Sequence, residues 1–412
     1  MALYGDVTYD SRVRKEARSL TQAGYDVSIV CLAGEATASD LPESVRVLVR
    51  QADRGAVIPS ATNPFFAPAG VGRRGGRAGA AVRRAGWFLG YVRSLRGWGQ
   101  LAVAAAGPVD IWHAHDLTGL AAIALHVPKG IPIVYDSHEL FLEAATASRL
   151  PGPLRQLLRK YERRLVARTS AVITVNEEIA DVLHRRYRPR RIAVVYNCPD
   201  RWTASTDRAP LLRDAAAIPA GAPIVLYHGA LTAQRGVELL MNALLEPGLA
   251  DAHLVLMGLG DRRPEYVDMA RSERWGGRVH ILDPVSPAAL LPWVASADVG
   301  AMPNPGSTLN DRFSSPNKLF ECLAAGTPVV ASDFPTMRRI LIDDPAGPFG
   351  AVCDPSRVGA IANALGSIVH LDLEAAGALR ARCVRVAADR WNWQAESLAL
   401  TRVYAEIVAT PG

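Results

Sequence analysis

The feature that most constrains the fold of this chain is the alternation of short apolar runs with amphipathic segments along its length. The apolar runs are typical of buried strands and the segments between them of helices. A chain in which strands and helices alternate forms parallel sheets with crossover helices, so we predict an α/β protein. The predicted strands include residues 25–32, 109–112, 131–135, 171–175, 192–196, 224–228, 252–257, 279–282 and 299–302.

The length of 412 residues exceeds what one hydrophobic core normally supports. We predict an N-terminal domain over residues 1–198, a linker rich in Pro, Ala and charge over 199–222, and a C-terminal domain over 223–390. The two similar α/β halves are expected to enclose a cleft. Trp391 and Trp393 are suited to anchor a last helix, within 391–412, that crosses back to the N-terminal domain.

Apolar residues make up 49% of the sequence, and no uninterrupted run of about 18 of them occurs. This composition predicts a globular protein without a transmembrane helix, and the N-terminus lacks the apolar stretch of a signal peptide. Five scattered cysteines without a C-x-x-C spacing indicate neither a disulfide framework nor a metal centre. We therefore expect a cytoplasmic protein, whose net charge of +6 suits anionic partners.

A basic and aromatic segment lies between residues 54 and 109, where no acidic residue occurs. Its arginines include Arg83, Arg93 and Arg96, and its aromatics include Trp87, Phe88, Tyr91 and Trp98. An imperfectly amphipathic helix with basic flanks is typical of peripheral docking on an anionic membrane. A helix that packs its aromatics on its own domain fits the same pattern. No recognisable nucleic-acid module surrounds the segment, so we expect no nucleic-acid partner.

The stretch from 315 to 333, S-P-N-K-L-F-E-C-L-A-A-G-T-P-V-V-A-S-D, predicts a short helix followed by a buried strand. Ser315 is a suitable N-cap and Pro316 a suitable first helical residue. Gly326 is suited to the left-handed position that ends a helix.

Lys318 and Glu321 lie three residues apart and so share one face of this helix. A lysine in the first turn is poorly placed against the positive end of the macrodipole. A diphosphate removes that penalty if Lys318 and the backbone N–H groups of Asn317 and Leu319 hold it. Glu321, one turn later, is placed to bind the vicinal hydroxyls of a ribose. The alternative is a surface helix with an incidental ion pair.

Ligands in open α/β sheets bind beyond the carboxyl ends of the strands, which directs attention to the residues that follow each strand. After residues 224–228 comes a loop of small residues from Gly229, with Arg235 at the next helix start. Arg235 and Lys318 are thus two cations at helix N-termini in one half of the chain, which predicts a diphosphate site.

Titratable residues also follow two strands of the first half, in the sequences H-A-H-D (113–116) and D-S-H-E (136–139). Asp116, His138 and Glu139 are therefore candidates for the same cleft. The H-x-H pair suggests a metal, but no third ligand is evident at a useful spacing, so we predict none. The absence of a G-x-x-x-x-G-K-[ST] loop and of a G-x-S-x-G elbow excludes the commonest NTPase and hydrolase motifs.

The motifs D-S-R-V-R-K-E-A (10–17), V-Y-D-S-H-E-L (134–140), Y-H-G-A-L-T-A-Q-R-G-V-E (227–238) and S-P-N-K-L-F-E-C-L-A-A-G-T-P-V-V (315–330) occur in this order. Together they resemble family 4 of the retaining glycosyltransferases, over essentially the whole chain. The resemblance implies the GT-B architecture of two Rossmann-like domains with a C-terminal helix that crosses back. It also implies transfer of a sugar from a nucleotide-diphosphate donor, with retained anomeric configuration and without a cofactor or bound metal.

By position, the resemblance implies that Arg235 and Lys318 neutralise the donor diphosphate and that Glu321 holds the ribose. It places His138 beside the transferred sugar. Gly5, in the first loop, is implied to let the backbone approach the donor phosphates. The nucleophile is then a hydroxyl of the acceptor, a glycan or a lipid-linked molecule, and no protein residue is a covalent nucleophile.

Two departures from the family pattern affect these expectations. A second glutamate, usual eight positions before Glu321, is replaced by Phe313. Asn304, Asn310 or Asp311 on the loop over 303–314 then remain to bind the sugar. Only four residues precede Gly5, so we expect a shortened first strand.

Two other classes of protein remain open as alternatives. A GT-B nucleotide-sugar epimerase needs acid and base carboxylates around the sugar, and Phe313 leaves no such cluster beside Glu321. A catalytically silent GT-B protein that binds nucleotides or a partner agrees with Phe313 and the short N-terminus. The presence of Arg235, Lys318 and His138 favours the enzyme.

Overall fold

The computed structural model describes residues 1–34, 41–52, 77–144, 147–203 and 208–409, with residues 77–89 described for their backbone only. The chain divides into two compact units. The first contains Met1–Val175, Ile179–Val195 and the last helix from Ser397 onward, and the second contains Asn176–Glu178 and Tyr196–Glu396. The predicted domain ends at residues 198 and 390 lie within six residues of the transitions after Val195 and Glu396.

The first unit is built on a parallel sheet of seven strands in the order β3-β2-β1-β4-β5-β6-β7. The strands are β1 Ala2–Asp6, β2 Ser28–Ala33, β3 Arg46–Val49, β4 Trp112–His115, β5 Ile133–Ser137, β6 Ala171–Thr174 and β7 Ile192–Val194. The helices are α1 Ser11–Gln22, α2 Arg77–Ala106, α3 Asp116–Ile123, α4 Gly152–Val166 and α5 Glu177–Tyr187. β4 and β5 are buried along their whole length, which places them at the centre of the core.

The second unit is built on a parallel sheet of six strands in the order β10-β9-β8-β11-β12-β13. The strands are β8 Ile224–His228, β9 His253–Met257, β10 Val279–Leu282, β11 Val299–Met302, β12 Val329–Ser332 and β13 Gly350–Cys353. The helices are α6 Leu211–Ala215, α7 Val237–Ala243, α8 Arg263–Ala270, α9 Leu290–Ala295, α10 Leu309–Phe313, α11 Asn317–Ala324, α12 Pro335–Leu341, α13 Val358–Val369 and α14 Leu373–Asp389. α15 Trp393–Ala409 is shared between the two units. The prediction of an α/β protein with parallel sheets is confirmed.

In both sheets the strand order reverses beside the first strand of the unit, between β1 and β4 and between β8 and β11. At such a switch point the connections leave to opposite sides and open a crevice at the carboxyl ends of the strands. The loops that follow these strands therefore position the candidate site residues in each unit.

Several predicted element bounds are wrong. The strand predicted at 109–112 is β4 at Trp112–His115, because parallel pairing aligns His113 with Val134 and His115 with Asp136. The predicted loop over 303–314 contains α10, whose first turn Thr308 and Asp311 close as a reciprocal capping box.

Two predictions near helix and strand ends also need correction, and one is confirmed. Pro316, not Ser315, is the N-cap of α11, because its backbone is extended at φ −66° and ψ 142°. Gly326 has the predicted left-handed backbone, with φ 68°. Gly5 lies within β1 rather than in the loop after it. The last helix, α15, begins in the second unit and belongs to the first from Ser397.

Part of the predicted membrane-docking segment, residues 54–76 and the side chains of 77–89, lies outside the described residues. In the described part, Trp98 is buried, donates from Nε1 to the Arg50 carbonyl at 2.8 Å and packs 5.2 Å from the Tyr4 ring. Tyr91 packs 6.3 Å from the same ring, and Leu95 is buried. These contacts agree with the alternative to membrane docking, in which the helix packs its aromatics on its own domain. In the part of the chain that the structure describes, every helix is too short or too polar to span a bilayer.

Candidate active site

An open pocket lies in the second unit at the carboxyl ends of β8, β11 and β12. Its lining includes Tyr227, Arg235, Asn304, Asp311, Lys318 and Ser332. Four side chains predicted from the sequence, two cations and two polar groups, therefore meet in one pocket. Tyr227 and Ser332 were not predicted, although Ser332 is the last residue of β12.

Lys318 is held over an aromatic ring in this pocket. Its Nζ lies 3.9 Å from the centroid of the Tyr227 ring, a cation–π contact. Gly229 lies directly beside it, with φ 112°, and a Cβ there would approach Nζ to 3.3 Å. The loop after β8 thus requires glycine at this position, both for its backbone conformation and for the close approach of the lysine.

The cations of the pocket affect each other. Burial lowers the pKa of Lys318 to about 8, with a further contribution from the positive charge of Arg235. Two cations that disfavour each other's charge in the free protein are stabilised together by one polyanion. The pocket therefore has the electrostatics of an anion site.

Glu321 is held by a residue at the end of β8. Its Oε2 lies 2.9 Å from Nε2 of His228, and its side chain is 22% exposed. Among the described residues, then, the carboxylate is anchored by His228 while Lys318 packs on Tyr227. This arrangement differs from the alternative prediction, a surface helix with an incidental ion pair between Lys318 and Glu321.

The two backbone groups predicted at the start of α11 differ in their surroundings. Asn317 is exposed in the first turn. The N–H of Leu319 donates to the Pro316 carbonyl at 2.9 Å, and its side chain is fully buried. The N–H of Leu319 is therefore already used within the tight first turn of α11.

The loop from β11 to α11 carries the candidates for sugar binding. Asn304 accepts from the Gly306 N–H at 3.0 Å, which shapes the loop beside the pocket. Asp311 accepts from the Thr308 N–H at 3.0 Å and also lines the pocket. Asn310 is buried. The carbonyl of Phe313, in place of the usual glutamate, accepts from Asn176 at 2.7 Å.

Gly258 packs against the loop after β8 and was not predicted as a site residue. Gly258, after β9, lies so close to the loop after β8 that a Cβ there would meet the Gly229 carbonyl oxygen at 1.9 Å. The Gly229 N–H donates to the Met257 carbonyl at 2.9 Å, and the Leu231 N–H donates to the Leu259 carbonyl at 2.8 Å. The signal was the sequence G-L-G after a strand, which is weak without the neighbouring loop.

In the first unit, His138 lies between two carboxylates at the ends of β4 and β5. Its Nε2 is 3.0 Å from Asp136 Oδ2, and its Nδ1 is 3.5 Å from Asp116 Oδ2. Burial alone would lower the pKa of His138, but Asp116 and Asp136 raise it to about 10. His138 is therefore an imidazolium at neutral pH. Glu139, the next residue, is half-buried, and its carbonyl accepts from Ser137 Oγ at 2.9 Å.

Asp136 is fully buried and is neutralised from the other side by α1. Arg12 donates to it from Nε at 2.7 Å and from Nη2 at 2.9 Å. Burial would raise the pKa of Asp136, but Arg12 and His138 hold it well below its usual range. Arg12 was not predicted as a site residue, because only the fold brings α1 against β5.

The H-x-H pair gains two carboxylates in the fold, contrary to the expectation that no third ligand lies nearby. Ligand atoms of Glu16, His113, His115 and Asp136, all buried, lie within 4.8 Å of one another. The guanidinium of Arg12 lies among them, with Nε 3.1 Å from Glu16. This cation pairs with both carboxylates, while both oxygens of Glu16 and Nε2 of His113 and His115 are buried without a hydrogen-bond partner among the described residues.

Two family models match the sequence. The one described as "Glycosyltransferase Family 4" matches residues 11–201, and the one described as "Glycosyl transferases group 1" matches residues 222–370. Together they cover the motifs of both units.

Two curated relatives are similar over most of their length. The phosphatidyl-myo-inositol mannosyltransferase of Mycobacterium leprae is 30% identical over 319 residues, which are 74% of this chain and 75% of the relative. The D-inositol 3-phosphate glycosyltransferase of Xylanimonas cellulosilytica is 29% identical over 318 residues, 73% of this chain and 72% of the relative.

Solved structures share the fold at low sequence identity. The sucrose-phosphate synthase of Thermosynechococcus elongatus superposes with a TM-score of 0.72 at 18% identity, over 98% of this chain and 96% of that one. Anabaena HepE, solved with UDP and glucose, superposes with a TM-score of 0.67 at 16% identity, over 98% and 99% of the two chains. The GT-B fold predicted from the resemblance is confirmed, and the chain belongs to glycosyltransferase family 4.

Proposed function

We propose that this glycosyltransferase moves a sugar from a nucleotide-diphosphate donor to a hydroxyl of a glycan or lipid-linked acceptor, with retention of the anomeric configuration. The observation that carries the donor assignment is the pair Arg235 and Lys318 in one pocket, where burial and the neighbouring cation lower the pKa of the lysine. A diphosphate supplies the negative charge that this pair lacks.

In this proposal Arg235 and Lys318 stabilise the negative charge that develops on the leaving nucleotide, which is the main contribution that such a site makes to the rate. Glu321, held by His228, binds the ribose hydroxyls. Gly229 allows the phosphates to approach the backbone, and Asn317 offers its N–H at the start of α11. No step in this scheme requires a cofactor or a metal.

The sugar and the acceptor are bound by the remaining polar candidates. In this proposal Asn304 and Asp311, which line the pocket, contact the sugar together with the buried Asn310. His138 lies beside the transferred sugar, and Asp116 and Glu139 next to it are assigned to the acceptor. Both curated relatives act, by their names, on inositol-containing molecules, so inositol-bearing acceptors are the first class to test.

A peripheral contact with an anionic membrane on the cytoplasmic side accompanies the proposal of a lipid-linked acceptor. Its support is the absence of acidic residues from 54 to 109 and the exposure of Arg93 and Arg96 on α2. Flotation with vesicles containing anionic lipid tests it, with Arg93→Glu/Arg96→Glu as the variant and vesicles of neutral lipid as the control. Absence of the wild-type protein from the anionic vesicles would refute the membrane contact.

The donor assignment is tested by a thermal-shift screen of nucleoside diphosphates and their sugars, followed by a transfer assay with inositol-bearing acceptors. We expect one nucleoside diphosphate to raise the melting temperature and its sugar to be transferred with retention, as seen by proton NMR of the product. Binding without hydrolysis or transfer of any sugar would instead favour the catalytically silent alternative. A product of inverted configuration would contradict the retaining mechanism.

A further inference from the structure

Three side chains of the first unit alternate in charge from the core towards the surface. Asp136 is fully buried, His138 is 18% exposed and Asp116 is 30% exposed. His138 touches both carboxylates with its ring, and its backbone N–H also donates to Asp116 Oδ1 at 3.3 Å. The outermost carboxylate therefore accepts from the backbone N–H of His138 and lies at ion-pair distance, 3.5 Å, from its ring Nδ1.

We propose that Asp136 is a positioning residue that keeps His138 as an imidazolium, and that this charged ring holds Asp116 as the carboxylate that binds a hydroxyl of the acceptor. The identity of the bound hydroxyl rests on the proposed sugar transfer. The charge of His138 and the roles of the two carboxylates towards it rest on the geometry of the first unit alone.

The positions of the ring nitrogens decide the charge of His138. A neutral imidazole has one N–H, so its second nitrogen would direct a lone pair at a carboxylate oxygen. Here Nε2 faces Asp136 at 3.0 Å and Nδ1 faces Asp116 at 3.5 Å. Both nitrogens thus face a carboxylate, and Nε2 also lies 3.3 Å from Nδ1 of His115; this arrangement favours the doubly protonated ring. The tightly held side chain can then act as a donor of hydrogen bonds, but not as a base.

The groups around this ring come from every element that packs on it. Two of these groups, Arg12 and Glu16, lie on α1, and Asp10 lies in the loop before it. The others nearest to the ring are His115 on β4, Asp116 on α3 and Asp136 on β5. His113 and Tyr404 lie behind them. Burial lowers the pKa of His113 and His115 and raises that of Glu16. Burial also raises the pKa of Asp116, and the positive ring of His138 opposes that shift.

The backbone of Asp116 adds a second reason to assign it to the ligand. It has φ 57°, the left-handed region that residues other than glycine seldom adopt. Residues held in such conformations cluster at ligand sites, where the surrounding structure fixes them. Nε2 of His138 is hydrogen-bonded to Asp136, whereas Nδ1 lies only at ion-pair distance from Asp116, whose side chain is 30% exposed and therefore open to a hydroxyl.

The direct test is nitrogen NMR of the protein labelled with ¹⁵N in its histidine rings. The signals of His138 are identified by their loss in His138→Gln. We expect both ring nitrogens to be protonated at about pH 7.5 and to titrate near pH 10 in the wild type. A His138 ring that is neutral at about pH 7.5 would overturn the proposal, whether or not a sugar substrate has been found.

The variant Asp136→Asn tests whether Asp136 keeps His138 charged or only supports the fold. We expect the pKa of His138 then to fall below its wild-type value, because only Asp116 remains to raise it against burial, with an acceptor KM that rises above the lowered pKa while the donor KM stays constant. Asp181→Asn, an exposed residue of the same unit, is the matched control and leaves the titration unchanged. If the single variant does not fold, Arg12→Met/Asp136→Asn removes both charges. An unchanged His138 titration in either variant would contradict the role of Asp136.

The variant Asp116→Asn tests whether the Asp116 carboxylate binds the acceptor. The amide keeps the size of the side chain but accepts fewer hydrogen bonds, so we expect the acceptor KM to rise roughly tenfold with the donor KM unchanged. An equal rise in both values would place Asp116 outside acceptor binding. If no acceptor is found at all, only the assignment of Asp116 fails, because the NMR titration stands independently.

Discussion

The ammonium nitrogen of Lys318 lies 3.9 Å from the centroid of the Tyr227 ring. The ring face stabilises the cation without neutralising it, since a cation–π contact leaves the full charge available to an anion. Lys318 therefore brings a positive charge to the pocket beside that of Arg235. This relationship accounts for the position of Tyr227 under the loop after β8.

Replacement of the Tyr227 ring should weaken nucleotide binding more than loss of its hydroxyl. Tyr227→Leu removes a cation–π contact worth about 1 kcal/mol, so we expect roughly fivefold weaker binding of a nucleoside diphosphate by calorimetry. Tyr227→Phe keeps the ring and loses only the hydrogen bond to the Ala230 carbonyl at 2.9 Å, so its affinity should stay near that of the wild type. Equal losses in both variants would show that the hydroxyl, not the ring, supports the site.

Binding of a nucleoside diphosphate should take up protons in mildly alkaline solution. The pKa of Lys318 is lowered to about 8 by burial and by Arg235, and a bound polyanion raises it again. At about pH 8.5 many protein molecules have a neutral Lys318, and these gain a proton when the ligand binds. Below about pH 7 Lys318 is already charged, so no proton is taken up. Calorimetry in two buffers of different ionisation enthalpy measures this uptake.

Lys318→Arg is the control for that experiment, because a guanidinium stays charged throughout this range. We expect the dependence of the binding heat on the buffer at about pH 8.5 to disappear in this variant. Heat that does not depend on the buffer in the wild type would contradict the linkage between Lys318 and the ligand.

His228 should matter for the nucleoside and not for the phosphates. His228→Ala removes the partner that holds Glu321 at 2.9 Å, so the carboxylate is less well placed for the ribose. We expect roughly fivefold weaker binding of the nucleoside diphosphate, from the loss of about 1 kcal/mol of hydrogen bonding. The affinity for inorganic diphosphate should not change. A similar loss for both ligands would place His228 at the phosphates instead.

Gly258→Ala should destabilise the second unit and weaken binding together, because the new Cβ would meet the Gly229 carbonyl oxygen at 1.9 Å. Overpacking of this kind costs about 1–3 kcal/mol in the free energy of unfolding, measured with denaturant. Gly377→Ala is the matched control, since it lies in α14 with nothing within 4 Å, and helix propensity predicts a gain of about 0.5–1 kcal/mol. Destabilisation by both variants would show that local backbone effects dominate.

The sequence predicted the strands of the second unit well because each is a buried apolar run with polar or glycine residues after it. β8, β10 and β11 have the predicted bounds. The cations of the pocket were also predictable, since Arg235 and Lys318 both stand near helix starts after strands. Their meeting in one pocket required only the rule that ligands bind at the carboxyl ends of parallel strands.

The polar core of the first unit was not predictable in the same way. His113 and His115 read as polar residues after a strand, but pairing with β5 buries them inside β4. Arg12 and Glu16 on α1 belong to the same cluster although they lie about a hundred residues away in the sequence. A buried charge is stable only with its partners, and a single sequence does not show which distant groups become partners.

The central claim, that Arg235 and Lys318 share one diphosphate, is tested most directly by calorimetric titration of the nucleoside diphosphate found in the screen. Wild type, Arg235→Ala and Lys318→Ala are compared with Arg271→Ala, an exposed arginine of the same unit. We expect each of the first two substitutions to weaken binding at least roughly tenfold, the loss of a charge-assisted hydrogen bond, and the control to bind like the wild type. Undiminished affinity in both Arg235→Ala and Lys318→Ala would contradict the account.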